Sequence, residues 1–489
     1  VSDSITFPRY PSTNRVPGVF ADVDPSQANT ATVQLRGLIV AQMVKGSAVP
    51  GTPVIVPSAA AAATMFGAGS QAAIAVTHWR NIDSFGELWV LPLADDPQAQ
   101  AAAGSIAITG TATAAGTLVF LIDGALVSIA YNAGDAAATV MGRIAPALSQ
   151  AGNFPFSAGA ISSGAVPLTA INKGACGNDL VLGISTQSSD YVSAGLAVTI
   201  TQPTGGSANP SSLANALLAL GTRPFDFIAT PYADSASLSA FKGFMSDASG
   251  RWSWNEMIFG HVFTAIRGTL GAVTTFGQSV NDQHLTVVPI ADSPSSPLRW
   301  SAEIAASAAV KARTDPALPI TQMALTVLPP SDANIWSFTE QNSLLYEGLS
   351  VFSVGDDGTV SILRLITTYQ TNAAGVPDDS YLDVETMNTL AYVIRDLRTF
   401  QQPYLAMKLV SDTTRIPGGS GAINAPVVRQ ALIGRYRFLE TAGYVQNSAT
   451  FAANIIVQNK GGGQLAESLP IDVANQVRTI PMLIQFRKS

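Results

Sequence analysis

The sequence predicts a mixed α/β chain: a discontinuous sheet-and-helix core with a parallel βαβαβ unit, an inserted β-rich domain, an α+β C-terminal domain and extended terminal arms. Three observations predict it. First, Phe225 to Ser293 alternates strand and helix. FDFIATP is an apolar run rich in aromatic and β-branched residues, Asp234 sits where an N-cap belongs, and SLSAFKGFM follows with helical spacing of Leu238, Phe241, Phe244 and Met245. MIFGHVFTAI is a second strand, Leu270 to Val280 a second helix and HLTVVPI a third strand. Short connections between such elements favour parallel strands with right-handed crossovers. Second, one phrase closes three apolar runs: Leu91-Pro-Leu-Ala-Asp-Asp, Thr230-Pro-Tyr-Ala-Asp-Ser and Val288-Pro-Ile-Ala-Asp-Ser. Proline cannot donate to a central ladder, so it marks where each strand leaves the sheet. The three runs are therefore expected in one parallel sheet, which places 87–93 in the same domain as 225–290. Third, between about 97 and 202 charges nearly vanish and Ala, Gly, Ser and Thr dominate, as in a separate module.

The domains follow from these breaks: an arm over 1–30, a core over 31–96 and 203–375, an insertion over 97–202, and a C-terminal domain over 376–489 that ends in a linker strand. Pro8, Pro11, Pro17 and Pro25 forbid a regular helix in the arm. Yet it carries Ile5, Phe7, Tyr10, Val16, Val19 and Phe20, so it needs a surface to lie against, on its own domain or on another chain. Val33 to Met43 and Thr52 to Pro57 read as strands. Ser58 caps an Ala-rich helix to Phe66, and Gly69 to Asn81 is a further helix. In the insertion, Thr117–Ile122 and Ala125–Tyr131 flank Asp123-Gly124, a hairpin signal. Asp135 is expected to cap a helix from Ala136 to Ser149, with strands at Val166–Ile171, Asp179–Ile184 and Leu196–Thr201.

After the βαβαβ unit, Leu298 to Arg313 is a helix and Ser331 to Tyr346 is partly helical. Leu349–Val354 and Thr359–Thr368 bracket a Gly-Asp-Asp-Gly turn. Asp383 is expected to cap the helix Val384 to Gln401, and Pro426 opens a helix to Thr441. Phe451 to Gln458 and Gln476 to Arg487 read as two strands joined loosely through Lys460-Gly-Gly-Gly-Gln. The last alternates around Met482, Ile484 and Phe486.

Composition narrows the function. The formal net charge of -7 argues against a general nucleic-acid binder. Only 12% of residues are charged against 47% hydrophobic, and mean hydropathy is positive. No apolar run reaches the ~18–20 residues of a membrane span, and the first residues lack the basic-then-apolar pattern of a signal peptide. A charge-poor surface that is not in a membrane is expected to be buried against other protein, so self-association is the reading. Cys176 is the only cysteine, which leaves no disulfide or Cys-based zinc site within one chain.

Catalytic signatures are sparse. There is no GxxxxGK[ST], strand-linked GxGxxG, GxSxG or HExxH. His78, His261 and His284 are scattered; His261 lies inside an apolar strand, where a satisfied core residue is the plainer reading. A triad of Asp234, His261 and a serine is open on sequence alone. Arg251-Trp-Ser-Trp reads as an aromatic platform or as a Trp pair capping a core. Asp95, Asp234 and Asp292 would line the carboxyl edge of the sheet, where ligands of open α/β folds bind. They read as turn caps, or alternatively as a divalent-cation site of a metal-dependent α/β enzyme. No cofactor is expected.

At this point the residues carry a resemblance. FPRYPSTNRVPGVFADVDPSQANT resembles the opening of the tail sheath proteins of Mu-like contractile-tailed bacteriophages. FDFIATPYADSASL, GRWSWNEMIFGHVFTA and the NDQH turn are similar to that family's central region, and GTLVFLIDGALVSIAYNAGDAAATV to its inserted domain. The resemblance implies a non-enzymatic virion subunit, assembled in the bacterial host cytoplasm. It implies polymerisation as hexameric rings or a helix around a tail tube, and contraction that drives the tube through the host envelope. Its partners would be further copies of itself, the tube protein, and the baseplate and tail terminator proteins, with no nucleic acid and no membrane span. The arms, through Ile5, Phe7, Tyr10, Val16 and Phe20 at one end and Met482, Ile484 and Phe486 at the other, would link neighbours by adding strands to their C-terminal domains. The inserted domain would face outward.

Charge suggests which face meets the tube. From Tyr381 to Ser489 there are eleven basic and seven acidic side chains, an excess of four, so the rest of the chain carries -11. Ordinary scatter gives such an excess too; the sharper reading is a basic domain lining the inside of the sheath against a more acidic tube. Arg395, Arg398, Arg429 and Arg437 are the tube-facing candidates on that reading.

Overall fold

The computed structural model describes residues 35–185 and 195–487. The arm residues Ile5, Phe7, Tyr10, Val16 and Phe20 lie outside the described residues.

The core is built on a six-stranded sheet with the spatial order Leu285–Pro289, His261–Ile266, Phe227–Ala229, Gly37–Gln42, Leu88–Leu93, Val54–Ile55. The first five strands are parallel and the short sixth is antiparallel. The three strands that share the Pro-x-Ala-Asp ending do lie in this one sheet. Gly37–Gln42 and His261–Ile266 are buried at every position, as strands covered on both faces must be. The helix Pro297–Thr314 packs on this sheet and on Gln71–Ile82, with fourteen of its eighteen residues buried. It is Ala-rich over Ala305–Ala309, which lets helix and sheet approach closely.

Several local readings hold at residue level. Ser58 caps Ala59–Phe66 by accepting from the Ala61 N–H at 3.3 Å. Asp234 caps Ser235–Met245 through the Ser237 N–H at 3.0 Å. Asp123 and Gly124 both have positive φ, the type I′ geometry that fits the strand twist of a two-residue hairpin.

Others are corrected. The strand read from Met257 begins only at His261, because Met257, Phe259 and Gly260 take positive φ and break extended geometry. Asp135 does not cap a helix: its carboxylate accepts from the Asn132 N–H and pairs with Arg143, and the helix splits into Ala137–Met141 and Ile144–Ala151. Asp383 precedes Val384–Gln401 but makes no side-chain cap, since Arg364 and Arg478 hold its carboxylate. The glycines at 461–463 close a hairpin between Ile456–Gly461 and Gln464–Ser468, so the partner of the first strand is not the chain end. Phe451 belongs to the helix Ser448–Asn454.

The insertion forms a four-stranded and a three-stranded sheet over a common apolar cluster. Its first and last strands, Ala103–Gly110 and Leu196–Thr204, pair antiparallel, so the chain leaves where it entered. A third cluster gathers the C-terminal helices around Val428, Leu432, Tyr436 and Phe451. The helix Val384–Gln401 spans the seam: Val384 packs in the core cluster, Val393 and Leu397 in the C-terminal one.

Candidate functional site

The carboxyl edge of the parallel sheet is where an α/β enzyme would hold its ligand. Here the insertion covers it. Gln42, ending its strand, donates to Asp95 at 2.7 Å and to the Lys173 carbonyl at 2.7 Å. Arg267, just past another strand, donates to the Ser293 carbonyl at 2.5 Å and to the Asp179 carbonyl at 3.1 Å. Each of the three carboxylates is taken up by amide and hydroxyl donors. Asp95 accepts from Gln42, from Asn172 at 2.9 Å and from the Lys173 N–H at 3.0 Å. Asp234 accepts from Ser237 and from Asn209 at 2.7 Å. Asp292 accepts from Ser331 at 2.7 Å and Asn334 at 2.9 Å. Partial burial works against the charges of Asp234 and Asp292, but these hydrogen bonds outweigh it and hold both carboxyls below their ordinary value. The cap reading holds for Asp234 alone: Asp95 and Asp292 accept from residues distant in sequence and tie the sheet edge to 172–173 and to 331–334, because those donors reach the carboxylates before their own turns do. Burial pushes the Cys176 thiol up, as for a packed, unreactive sulfur.

The histidines are structural by position. His261 starts its strand at the amino edge and Asp234 lies at the carboxyl edge, so the two cannot form a triad. His284 stacks on Trp252 with centroids 4.7 Å apart and meets Asp247 at 2.8 Å. Trp252 also packs against Phe259 and donates to the Gly260 carbonyl, the core-capping role; Trp254 is exposed. His78, which had no partner in sequence, sits in a buried chain. Its Nδ1 meets Glu303 Oε1 at 2.5 Å and its Nε2 meets Arg299 Nη1 at 2.7 Å. Arginine only donates and a carboxylate only accepts, so His78 donates through Nδ1 and accepts at Nε2. Arg299 then reaches Asp123 at the hairpin tip of the insertion. No sequence spacing links 78, 123, 299 and 303.

The amino edge of the sheet meets the C-terminal domain. Arg395 Nη2 approaches Asp226 at 2.6 Å and donates to the Ile258 carbonyl at 2.7 Å, with its guanidinium over the Phe259 ring. Arg429 donates to the carbonyls of Ile455 and Ala452. These two of the four arginine candidates are held within the chain. Arg398 and Arg437 are exposed. Arg437 stands on the outer stripe of Ala425–Thr441 with Val427, Gln430, Gly434 and Phe438, and is its only charge.

The chain end differs from the rest. Val445 and Val473 form an antiparallel bridge, and the Ala474 N–H donates to the Tyr444 carbonyl at 3.1 Å. Among the described residues, Thr479–Arg487 form no strand pairing and no hydrogen bond, and Met482, Ile484 and Phe486 are 78%, 80% and 85% exposed. In the same domain the ribbon Ile456–Gly461/Gln464–Ser468 is a two-stranded sheet.

A family model described as phage tail sheath protein central domain matches residues 205–368. The Mu-like prophage FluMu tail sheath protein of Haemophilus influenzae is 33% identical over 489 residues, covering 99% of each chain. The chain belongs to the phage tail sheath family. It is a phage tail structural protein. Sheath tail proteins from Desulfitobacterium hafniense (11% identity, 93% of this chain and 100% of that one, TM-score 0.46) and Listeria innocua (12%, 91% and 93%, TM-score 0.48) are among the similar solved structures. So is the anti-feeding prophage helical sheath in its contracted state (12%, 97% and 100%, TM-score 0.47). Among the described residues, no helix of this sheath protein is long and apolar enough to cross a membrane.

Proposed function

We propose that this sheath protein polymerises around a tail tube as hexameric rings or a helix, with neighbours linked by strand addition, and contracts to drive the tube through the host envelope. The observation that carries the reading is the pairing of needs in one domain. The tail 479–487 exposes apolar side chains and, among the described residues, has no partner strand, and the ribbon 456–461/464–468 has two strands. A lone two-stranded ribbon is marginal in water and gains by accepting a third strand. Met482, Ile484 and Phe486 are one side of the incoming strand. The N-terminal arm, with Ile5, Phe7, Tyr10, Val16 and Phe20, is the second linker.

The radial arrangement rests on topology. The insertion caps the carboxyl edge of the core sheet and the C-terminal domain meets its amino edge, so they occupy opposite ends of the strands. With the insertion outward, the C-terminal domain lines the bore, and Arg398 and Arg437 face the tube. Such exposed contacts are individually weak, about 0–1 kcal/mol each, which suits a surface that must release its partner. Baseplate and terminator proteins are the partners at the sheath ends, and the virion tail is its place. Electron microscopy of the purified chain tests the reading: tubes or stacked rings are expected, and a small discrete oligomer at every concentration would count against it.

A further inference from the structure

The tail is not fastened where its own domain ends. Arg478 Nη2 lies 2.9 Å from Asp383 Oδ1 and 2.8 Å from Glu385 Oε2. Both acids stand at the start of the helix Val384–Gln401, on the core side of the seam. Asp383 also holds Arg364 of the core hairpin at 2.9 Å, and Glu385, whose side chain is fully buried, accepts from the Ile320 N–H at 2.6 Å. Two residues before Arg478, Gln476 donates to the Ala317 carbonyl at 3.1 Å. Four segments thus converge on one ion cluster, and the free tail begins immediately after it.

We propose that Arg478 is the anchor of the C-terminal linker: it fixes the free length of the tail and couples that tail to the core rather than to the C-terminal domain alone. The proposal rests on the reading of the tail as a linker. The nine described residues beyond Arg478, Thr479 to Arg487, span roughly 30–32 Å when extended. Release of Arg478 leaves only the single Gln476–Ala317 bond and the Ala474–Tyr444 contact to hold the chain, and fraying back through them adds about 13 Å of slack. Burial pushes the Glu385 carboxyl up against the opposing pull of Arg478, so the anchor holds only while its cation is present. At the other end of the same helix Arg395 fastens to Asp226, so a pull on the tail is delivered to a helix fixed to the core at two points.

Amide exchange on the unassembled subunit tests the anchor without reference to tubes. In R478A the amide of Ala474, the last hydrogen-bonded one before the anchor, should exchange at least about tenfold faster while the core strands are unchanged, since a local opening is being freed. R478M, of similar length but uncharged, should match R478A, and R478K should restore slow exchange. If R478A does not fold, E385Q serves, with the same acceleration expected. Unchanged exchange in these variants overturns the anchor. In assembled tubes, R478A should broaden the spread of axial repeat seen by electron microscopy. Faster exchange with an unaltered repeat overturns the coupling to assembly, whereas failure of the wild type to form tubes would count against the proposed function instead.

Discussion

Arg299 of the core donates from Nε to Asp123 of the insertion at 2.8 Å, with side-chain exposures of only 8% and 0%. Asp123 also accepts from the Ser296 N–H at 2.9 Å, so a hairpin tip 173 residues away in sequence is sealed onto the N-terminus of the helix Pro297–Thr314. The insertion is thereby fixed to the core and not free to swing. Removing one partner leaves a buried charge alone. Arg299→Ala should destabilise the fold by about 3–5 kcal/mol. Replacing both partners by apolar residues should cost less than the sum of the single changes, as read by a double-mutant cycle in urea.

Asp234 separates cap chemistry from ion chemistry. Asp234→Asn keeps an acceptor for the Ser237 N–H and should change stability little, while Asp234→Ala should cost about 1 kcal/mol. The wild-type carboxyl lies below its ordinary value through its hydrogen bonds. Its contribution is therefore complete above the unfolded value near ~3.9 and is lost as pH falls through the folded one. Urea titrations at pH 7 and below pH 4 check both statements.

His261 gives a second pH signature. Burial, with a smaller push from His284, lowers its folded value to about 3. Its Nε2 donates to Thr286 Oγ1, whose own proton goes to the Ile366 carbonyl, and Nδ1 has no hydrogen-bond partner among the described residues. The unfolded chain takes up a proton near ~6.5 that the folded chain refuses until about 3. Stability from this group is complete above the unfolded value and falls across that window as pH drops. His261→Asn should flatten the stability–pH slope by up to ~1.4 kcal/mol per pH unit between pH 6 and 4, measured by equilibrium unfolding.

The tube-facing arginines divide by what holds them. Arg398→Glu with Arg437→Glu should leave the melting temperature within a degree or two, since both are exposed, and should weaken assembly on the tube, with raised salt mimicking the defect in wild type. Arg395→Ala should behave oppositely and destabilise the subunit by about 3–5 kcal/mol, because Asp226 would be left buried without its cation. Co-sedimentation with tube protein and thermal melts separate the two outcomes.

How much of this was legible depended on how local the cause was. The Asp123-Gly124 turn, the Ser58 and Asp234 caps and the shared Pro-x-Ala-Asp endings are short-range chemistry, and they stand in the structure. The late start of His261–Ile266 was hidden because positive φ at Met257 and Phe259 is imposed by tertiary contacts, including Arg251 against the Phe259 carbonyl. Asp383 looked like a cap in sequence, but two arginines from 364 and 478 compete for it. The alternation at the chain end reads as a strand; among the described residues no strand pairs with it. Sequence shows that a segment is ready to be a strand and cannot show whose sheet it joins.

The most direct test is electron microscopy of the full chain beside a chain truncated after Arg478. Both should give the same circular dichroism and melting curve, because Thr479–Arg487 make no hydrogen bond to the described subunit. The full chain should form tubes or stacked rings, and the truncated chain should remain as dispersed subunits at the same concentration. Normal tubes from the truncated chain would contradict the claim that the tail links neighbours.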